Sequence, residues 1–178
     1  MTYKIMIVDD EPANLRTLER LFRTDYQVVS ASSGAEALTL LALHDVALLI
    51  SDQRMPAMTG IELMMKTVAI RPQMVKILLT GYTDVDALID ALNSGLVYRY
   101  LTKPWNNADL RTTVIRALEH YEDTKTRHRL GMENDRLRER LQEIGDLAVM
   151  EPNRGSTIPE TEVGELSSQE PEVYELLG

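Results

Sequence analysis

The sequence contains no cysteine, which excludes disulfide bonds and thiolate metal sites. It also lacks long apolar runs, since no stretch approaches the roughly 20 residues that a membrane span needs. An excess of basic residues is absent too: the formal net charge is -9, so the basic surface typical of nucleic-acid binding is missing. The first residues lead directly into an apolar run, and we expect no signal peptide. These absences favour a cytoplasmic protein that contacts neither a membrane nor nucleic acid directly.

The acidic charge is concentrated at the C-terminal end. From Glu151 onward seven glutamates face one arginine, whereas the first 150 residues carry a net charge of only -3. The same segment is rich in proline, serine and glycine and offers little apolar surface to bury, which is typical of disorder or a linker. We therefore predict a domain over residues 1–122, a helical extension over 123–148 and a flexible acidic tail or linker over 149–178. Within the tail, residues 173–177 fit either a short docking segment or a frayed end.

Residues 1–122 alternate short apolar runs with amphipathic stretches of helical length. This pattern indicates repeated βα units and a parallel sheet. Helix starts are marked by Pro12, which suits a first helical position, and by a capping-box pattern at Ser33–Glu36. Asp84 is a candidate cap for the fourth helix, and Asn106 or Asn107 for the fifth. We predict five strands and five helices.

Polar side chains follow four of the apolar runs, at the point where each predicted strand ends. They are Asp9 and Asp10, Asp52, Thr80, and Lys103. The carboxyl ends of parallel strands meet at one edge of a sheet, and ligands bind there where the strand order reverses. With strand order 2-1-3-4-5, that point lies between the first and third strands. The sequence therefore predicts a site formed by these five residues.

The composition of this site indicates phosphoryl chemistry with a divalent cation. Three neighbouring carboxylates repel one another unless a cation neutralises them, and Mg²⁺ takes few carboxylates together with a phosphate oxygen. An aspartate can act as a nucleophile on phosphorus, with Lys103 neutralising charge on the transferred group and the Thr80 hydroxyl donating a hydrogen bond to it. The simpler alternative is a set of acidic turn residues that cap helices and bind no metal.

The motifs at these strand ends resemble the receiver domain of two-component response regulators. They are Asp9-Asp10, Asp52 with Met55-Pro56 and Gly60, Thr80, and Lys103-Pro104. The resemblance covers residues 1 to about 122 and implies a flavodoxin-like, doubly wound parallel α/β sheet of five strands. The helix-forming sequence that continues to about Ala148 adds an extended C-terminal helix to this fold. The segments 51–56, 79–84 and 98–105 are similar to the receivers of hydrogenase-type transcription regulators and of HD-type cyclic-dinucleotide phosphodiesterase regulators.

This resemblance implies roles for individual residues. Asp52 would accept a phosphoryl group from a sensor histidine kinase or a phosphotransfer protein. Mg²⁺ would be held by Asp9, directly or through water, by Asp10 and Asp52, and by the backbone carbonyl of Arg54. The Lys103–Pro104 peptide would be cis.

The resemblance also implies a switch. Thr80 would move toward the phosphoryl group and Tyr100 would turn inward behind it, which changes the surface formed by the fourth helix, fifth strand and fifth helix. Arg54 and Tyr82 lie where side chains tune the lifetime of the phosphoryl group, and we hypothesise that Tyr82 shields it from water. The chain would catalyse only its own phosphorylation and dephosphorylation.

Heptad spacing continues after the predicted domain. The residues that fit this heptad spacing are Leu130, Asn134, Leu137, Leu141, Ile144 and Ala148. This spacing predicts a parallel homodimer through a coiled coil in which Asn134 sets the register, although Gly131 interrupts its continuity. The alternative is a solvated charged helix that packs on its own domain.

Other readings compete with a complete phosphoacceptor switch. The chain could be the receiver fragment of a larger regulator whose enzymatic or DNA-binding output domain is missing. A haloacid-type phosphotransferase would need a second aspartate where Arg54 stands. A histidine-kinase role is disfavoured because neither His120 nor His128 begins the expected phosphoacceptor box.

Overall fold

The computed structural model describes residues 3–81, 89 and 91–150, with side chains through Ile144. Five parallel strands form one sheet in the order β2-β1-β3-β4-β5. Their bounds are Lys4–Val8 (β1), Gln27–Ala31 (β2), Leu48–Asp52 (β3), Val75–Thr80 (β4) and Arg99–Thr102 (β5). The predicted flavodoxin-like sheet and its strand order are confirmed.

Helices connect the strands and lie on both faces of the sheet. They are α1 (Pro12–Phe22), α2 (Gly34–Leu43), α3 (Gly60–Ile70) and the C-terminal helix (Asn107–Met150). Residue 89 and residues 91–93 are also helical and precede Gly95, whose φ of 71° gives the left-handed turn expected at a helix end. The predicted cap of this helix, Asp84, lies outside the described residues.

The helix starts agree with the sequence in part. Pro12 is the first residue of α1, and Asn106 Oδ1 accepts hydrogen bonds from the N–H groups of Ala108 (2.8 Å) and Asp109 (3.2 Å) at the start of the C-terminal helix. Ser33 caps α2 by accepting from the Glu36 N–H. The Glu36 carboxylate accepts from the N–H and the hydroxyl of Ser32 rather than from the Ser33 N–H. Only one of the two hydrogen bonds of the predicted capping box therefore forms.

The core has two layers, because alternate residues of each buried strand point to opposite faces. On one face, Ile5 and Ile7 pack with Leu18 of α1 and with Leu110 and Val114 of the C-terminal helix. The other layer joins β1, β3 and β4 to α2 and α3; its fully buried members include Met6, Leu41, Leu49, Leu63 and Leu78. Burial on both faces holds the carboxyl ends of β1, β3 and β4 side by side.

The chain divides into two compact units, with the boundary between Asp135 and Arg136. The predicted segment ends at residues 122 and 148 stay predictions. None of the helices in the described part of the chain combines the length with the apolar character that a bilayer span requires.

Candidate functional site

The sheet brings the predicted site residues together at its carboxyl edge. Asp52 and Thr80 are the last residues of β3 and β4, while Asp9 and Lys103 directly follow β1 and β5. The Lys103 N–H donates to the Thr80 carbonyl at 2.8 Å, which ties the end of β5 to the end of β4. The Lys103–Pro104 peptide is cis, as predicted.

Lys103 joins two of the aspartates. Its Nζ lies 2.8 Å from Asp52 Oδ1 and 2.9 Å from Asp9 Oδ2. Asp9 is completely buried and Asp52 is 6% exposed, so both carboxylates have lost most of their hydration. Charge-assisted hydrogen bonds of this length are among the stronger polar contacts in proteins. One ammonium group therefore positions both carboxylates.

The ionisation of these groups reflects the competition between burial and charge. Burial raises the pKa of the Asp52 carboxyl, with a further contribution from the negative charge of Asp9, and Lys103 offsets this only in part. Burial lowers the pKa of Lys103, but its hydrogen bonds and attraction to Asp52 and Asp9 outweigh that loss and leave the pKa above the ordinary lysine value. Lys103 is therefore a fixed positive charge at neutral pH.

Asp9, Asp10 and Asp52 form a cluster suited to a cation. One carboxylate oxygen from each lies within 4.8 Å of those from the other two, and Asp10 is the most exposed of the three. Three carboxylate oxygens are hard ligands of the kind that Mg²⁺ and Ca²⁺ prefer. Lys103 supplies one positive charge against three negative ones, so the donor set fits a divalent cation.

Asn14, which the sequence reasoning missed, orients Asp9. Its Nδ2 lies 3.1 Å from each Asp9 carboxylate oxygen, and the Glu11 N–H donates to Asp9 Oδ1 at 2.9 Å. Asn14 lies in the first turn of α1. An amide side chain in the first turn of the helix that follows an acidic strand end is the signal that could have identified it.

The loop between β3 and α3 approaches Asp52 closely. The Gly60 N–H donates to the Gln53 carbonyl at 3.0 Å, and the Gln53 side chain accepts from the Ile61 N–H at 3.1 Å. A Cβ added to Gly60 would lie 2.3 Å from the Asp52 carbonyl oxygen. Only glycine allows this packing, which explains the motif glycine at this position.

The remaining predicted site residues are less tightly placed. The Thr80 hydroxyl donates to the Gly81 carbonyl at 2.8 Å. Tyr100 is 41% exposed and borders a groove of about 660 Å³ with Arg99 and Arg116. The side chain of Arg54 is exposed, and Tyr82 lies outside the described residues.

The sequence profile of the response regulator receiver domain matches residues 5–115. The chain belongs to the response regulator receiver family. The predicted resemblance is thereby confirmed. Receiver domains of this family are typically phosphorylated on an aspartate, bind Mg²⁺ at an acidic pocket and act as non-catalytic signalling modules. They interact with sensor histidine kinases or phosphotransfer proteins.

Curated relatives are longer transcription regulators. The chain is 35% identical over 129 residues to the hydrogenase transcriptional regulatory protein HoxA of Cupriavidus necator, which covers 72% of this chain and 27% of that protein. It is 38% identical over 116 residues to the transcriptional regulatory protein GlrR of Escherichia coli, covering 65% and 26%. The chain thus spans about a quarter of the length of these relatives.

A solved relative is the signal receiver domain of an HD domain-containing protein from Pseudomonas fluorescens Pf-5. It is 35% identical, covers 69% of this chain and 99% of that chain, and has a TM-score of 0.66. Together with HoxA, it agrees with the two subfamilies that the sequence motifs favoured.

Proposed function

We propose that Asp52 is the phosphoacceptor of a two-component phosphorelay and receives its phosphoryl group from a sensor histidine kinase or a phosphotransfer protein. The observation that carries this proposal is the contact of the Lys103 ammonium with both Asp52 and Asp9, beside the cluster completed by Asp10. This arrangement holds one carboxylate oxygen of Asp52 next to a fixed positive charge. A phosphoryl group bonded to Asp52 would place its negative charge beside the same Lys103 ammonium group.

The transfer requires little from the protein beyond position and charge. An Asp52 oxygen forms a bond to phosphorus while the phosphorus–nitrogen bond of the donor histidine breaks, and the imidazole leaves with the electron pair. Lys103 neutralises the phosphoryl oxygens as a compact point charge. Asn14 and the Glu11 N–H keep Asp9 oriented throughout.

Mg²⁺ would be held by Asp9, Asp10, Asp52 and the backbone carbonyl of Arg54. When bound, it supplies positive charge that draws phosphoryl oxygens toward Asp52. The chain's own contribution is the spacing of its three carboxylates and the exclusion of water from Asp9 and Asp52.

Thr80 and Tyr100 form the proposed switch. The Thr80 hydroxyl would leave the Gly81 carbonyl and donate to a phosphoryl oxygen instead, which exchanges one hydrogen bond for a charge-assisted one. The exposed position of Tyr100 supports its assignment as the outward side chain of the unphosphorylated state. Arg54 and Tyr82 would tune the lifetime of the acyl phosphate, Tyr82 by shielding it from water.

Acetyl phosphate with Mg²⁺, followed by mass spectrometry of the intact chain, tests the phosphoacceptor. We expect one added phosphoryl group on the wild type and none on Asp52→Asn. Asp45→Asn is the matched control, because Asp45 is an exposed aspartate whose carboxylate lies 3.9 Å from Arg71, and it precedes the amino end of β3 whereas Asp52 is at the carboxyl end of that strand. Labelling of Asp52→Asn at the wild-type level would refute the assignment.

The long C-terminal helix is the proposed means by which the switch changes contacts with another protein chain. The exposed leucines at positions 130, 137 and 141, and Ile144, support a parallel homodimer through a coiled coil. Alternatively, the chain is the receiver of a larger regulator, a reading that is compatible with its share of the length of its relatives. In either case we place the protein in the cytoplasm, where its proposed phosphodonor would reach it.

A further inference from the structure

Gln53, the residue after Asp52, is a buried polar residue to which the phosphoryl site assigns no role. It is 6% exposed, whereas the side chain of the next residue, Arg54, is exposed. A buried amide is costly unless its polar atoms are hydrogen-bonded, so the partners of Gln53 indicate what it holds in place. Those partners belong to the neighbouring strand β4 and to the first turn of α3.

Gln53 joins the end of β3 to the start of α3. Its N–H donates to the Leu79 carbonyl at 2.9 Å, which continues the pairing of β3 with β4 one residue beyond the end of β3. Its carbonyl accepts from the Gly60 N–H at 3.0 Å, and its side-chain Oε1 accepts from the Ile61 N–H at 3.1 Å. The first N–H groups of a helix have no partner within the helix. Gln53 therefore satisfies the first two such groups of α3.

These contacts close the loop of residues 54–59. Gln53 directly precedes the loop, and its partners Gly60 and Ile61 directly follow it. Within the loop Ala57 has a φ of 65°, a left-handed conformation that is unfavourable for a residue with a Cβ. Such a conformation persists only where the surroundings determine the path of the chain. The contacts of Gln53 contribute to that path, and Arg54 is the first residue on it.

We propose that Gln53 is a positioning residue for the cation site. Its side-chain oxygen holds the first turn of α3 against the end of β3, and this fixes the Arg54 carbonyl, one of the oxygens assigned to the cation. Gln53 itself touches neither the cation nor the phosphoryl group. The inference rests on the proposed function, because it concerns the ligand set described there. It adds a buried amide that sets the affinity for a divalent cation through the backbone.

Binding of Mn²⁺, a divalent cation that also suits oxygen ligands, tests the proposal without phosphoryl transfer. The EPR signal of free Mn²⁺ is followed while the full chain is titrated with this ion. Gln53→Met, and Gln53→Asn, whose amide is too short to reach Ile61, should each weaken binding about tenfold or more, the usual effect of losing a group that supports metal ligands. Gln53→Glu keeps an acceptor oxygen at the same place and should bind at least as tightly as the wild type, because its negative charge also favours the cation.

Thr59→Ala is the matched control. The Thr59 hydroxyl accepts from the Glu62 N–H at 3.2 Å, so this variant also removes a hydrogen bond at the start of α3, but not one made by the residue next to Arg54. We expect its Mn²⁺ affinity to equal that of the wild type. Unchanged affinity in Gln53→Met and Gln53→Asn would overturn the proposal, and so would an equal loss in Thr59→Ala or in Gln53→Glu.

Labelling by acetyl phosphate separates this inference from the proposed function. Gln53→Met should need about tenfold more Mg²⁺ for half-maximal labelling of Asp52, yet approach the wild-type rate once Mg²⁺ saturates the site. A rate that stays low at saturating Mg²⁺ would contradict a role limited to positioning the cation ligand. A wild type that binds Mn²⁺ but accepts no phosphoryl group would refute the phosphoacceptor alone, and the Mn²⁺ affinities would still decide the role of Gln53.

Discussion

At the scale of single residues, Lys76, which is buried, and Lys103, which is partly buried, differ in how the protein compensates the loss of hydration of an ammonium group. Lys103 contacts two carboxylates, and its pKa is raised above the ordinary value despite burial. Lys76 contacts only a carbonyl among the described residues, and burial lowers its pKa. Lys103 is thus part of a charge network, whereas Lys76 keeps a desolvated charge.

Lys103→Met should destabilise the fold, because it leaves Asp9 and Asp52 buried without their shared cation. We expect a loss of about 3 kcal/mol in the free energy of unfolding, at the lower end of the range for a broken buried pair because the Lys103 side chain is 24% exposed. Mg²⁺ should restore more stability in the variant than in the wild type. Urea denaturation with and without Mg²⁺ measures both effects.

Lys125→Met is the control for this experiment. Lys125 is an exposed lysine whose Nζ lies 5.5 Å from the centre of the Tyr121 ring, so its removal should cost little and leave the Mg²⁺ response unchanged. An equal Mg²⁺ response in Lys103→Met and Lys125→Met would show that Lys103 does not share its carboxylates with the cation.

Lys76→Met should stabilise the protein at neutral pH, and this gain should shrink as the pH rises. At neutral pH Lys76 is charged in the unfolded chain, and the cost of burying that charge is fully present below its lowered folded-state pKa. As the pH rises through that value toward the ordinary 10.5, the folded chain loses the proton first and the cost disappears. Urea denaturation of both proteins from pH 7 to pH 10 measures the difference; a constant difference would contradict the assignment.

Gly60→Ala should destabilise the protein by about 3 kcal/mol or more, because the new methyl group would overlap the backbone carbonyl of Asp52. It should also lower the rate of labelling by acetyl phosphate, since Asp52 must shift to make room. Gly81→Ala is a matched control for stability, because a Cβ at Gly81 meets no atom of the described residues within 4 Å. Comparable stability losses in the two variants would mean that the close approach at Gly60 is not tight.

At the scale of elements, the strands and their order were predictable, while several local details were not. The apolar runs before Asp9, Asp52 and Thr80 are short and bounded by polar turns, so their strand character follows from the sequence. The start of β5 was less clear, because Val97 and Tyr98 continue the same apolar pattern although the strand begins at Arg99. Pairing with β4 determines that boundary, and no local propensity encodes it.

The capping box at the start of α3 shows another limit of sequence reasoning. Thr59 accepts from the Glu62 N–H, and Glu62 accepts from the Thr59 N–H at 2.8 Å. Both Ser33–Glu36 and Thr59–Glu62 have the required spacing, yet only the second forms the complete box. At α2 the Glu36 carboxylate binds two donors of the neighbouring Ser32, its N–H and its hydroxyl, instead of the single N–H of Ser33.

Thr59→Ala should therefore cost about 1 kcal/mol in the free energy of unfolding, the usual effect of losing an N-cap. Thr39→Ala is a suitable control, because Thr39 lies inside α2 and its hydroxyl donates only to the Ala35 carbonyl of the same helix. Alanine favours helix formation, so this control should be neutral or slightly stabilising. Chemical denaturation of both variants measures the contrast, and a loss in Thr39→Ala as large as that in Thr59→Ala would assign the effect to threonine in general.

At the scale of the whole molecule, the candidate site was predictable in its residues and only partly in its contacts. Strand ends placed Asp9, Asp52, Thr80 and Lys103 at one edge, since parallel topology brings them there. The position of Asn14 in the first turn of the helix after Asp9 is a signal in the sequence, but its contact with Asp9 also depends on how α1 is oriented on the sheet.

Self-association through the heptad face should depend on that face alone. Leu137→Ser combined with Leu141→Ser removes two exposed apolar side chains, and we expect it to reduce the molar mass in multi-angle light scattering from that of a dimer to that of a monomer. Arg136→Ser combined with Gln142→Ser changes positions outside the heptad spacing and should leave the dimer intact. A wild-type chain that is monomeric both before and after phosphorylation would contradict the proposed homodimer.

In the described sheet β5 is the last strand in the order, so the backbone groups on its outer side have no strand to pair with. Such an exposed strand edge is a template to which a strand of another molecule can add, and this addition is the first step of edge-to-edge aggregation. Two features of β5 disfavour such pairing: the strand is only four residues long, and it begins with the charged Arg99. Replacing Arg99 with a neutral β-branched residue would remove this charge and make concentrated solutions of the protein prone to precipitation.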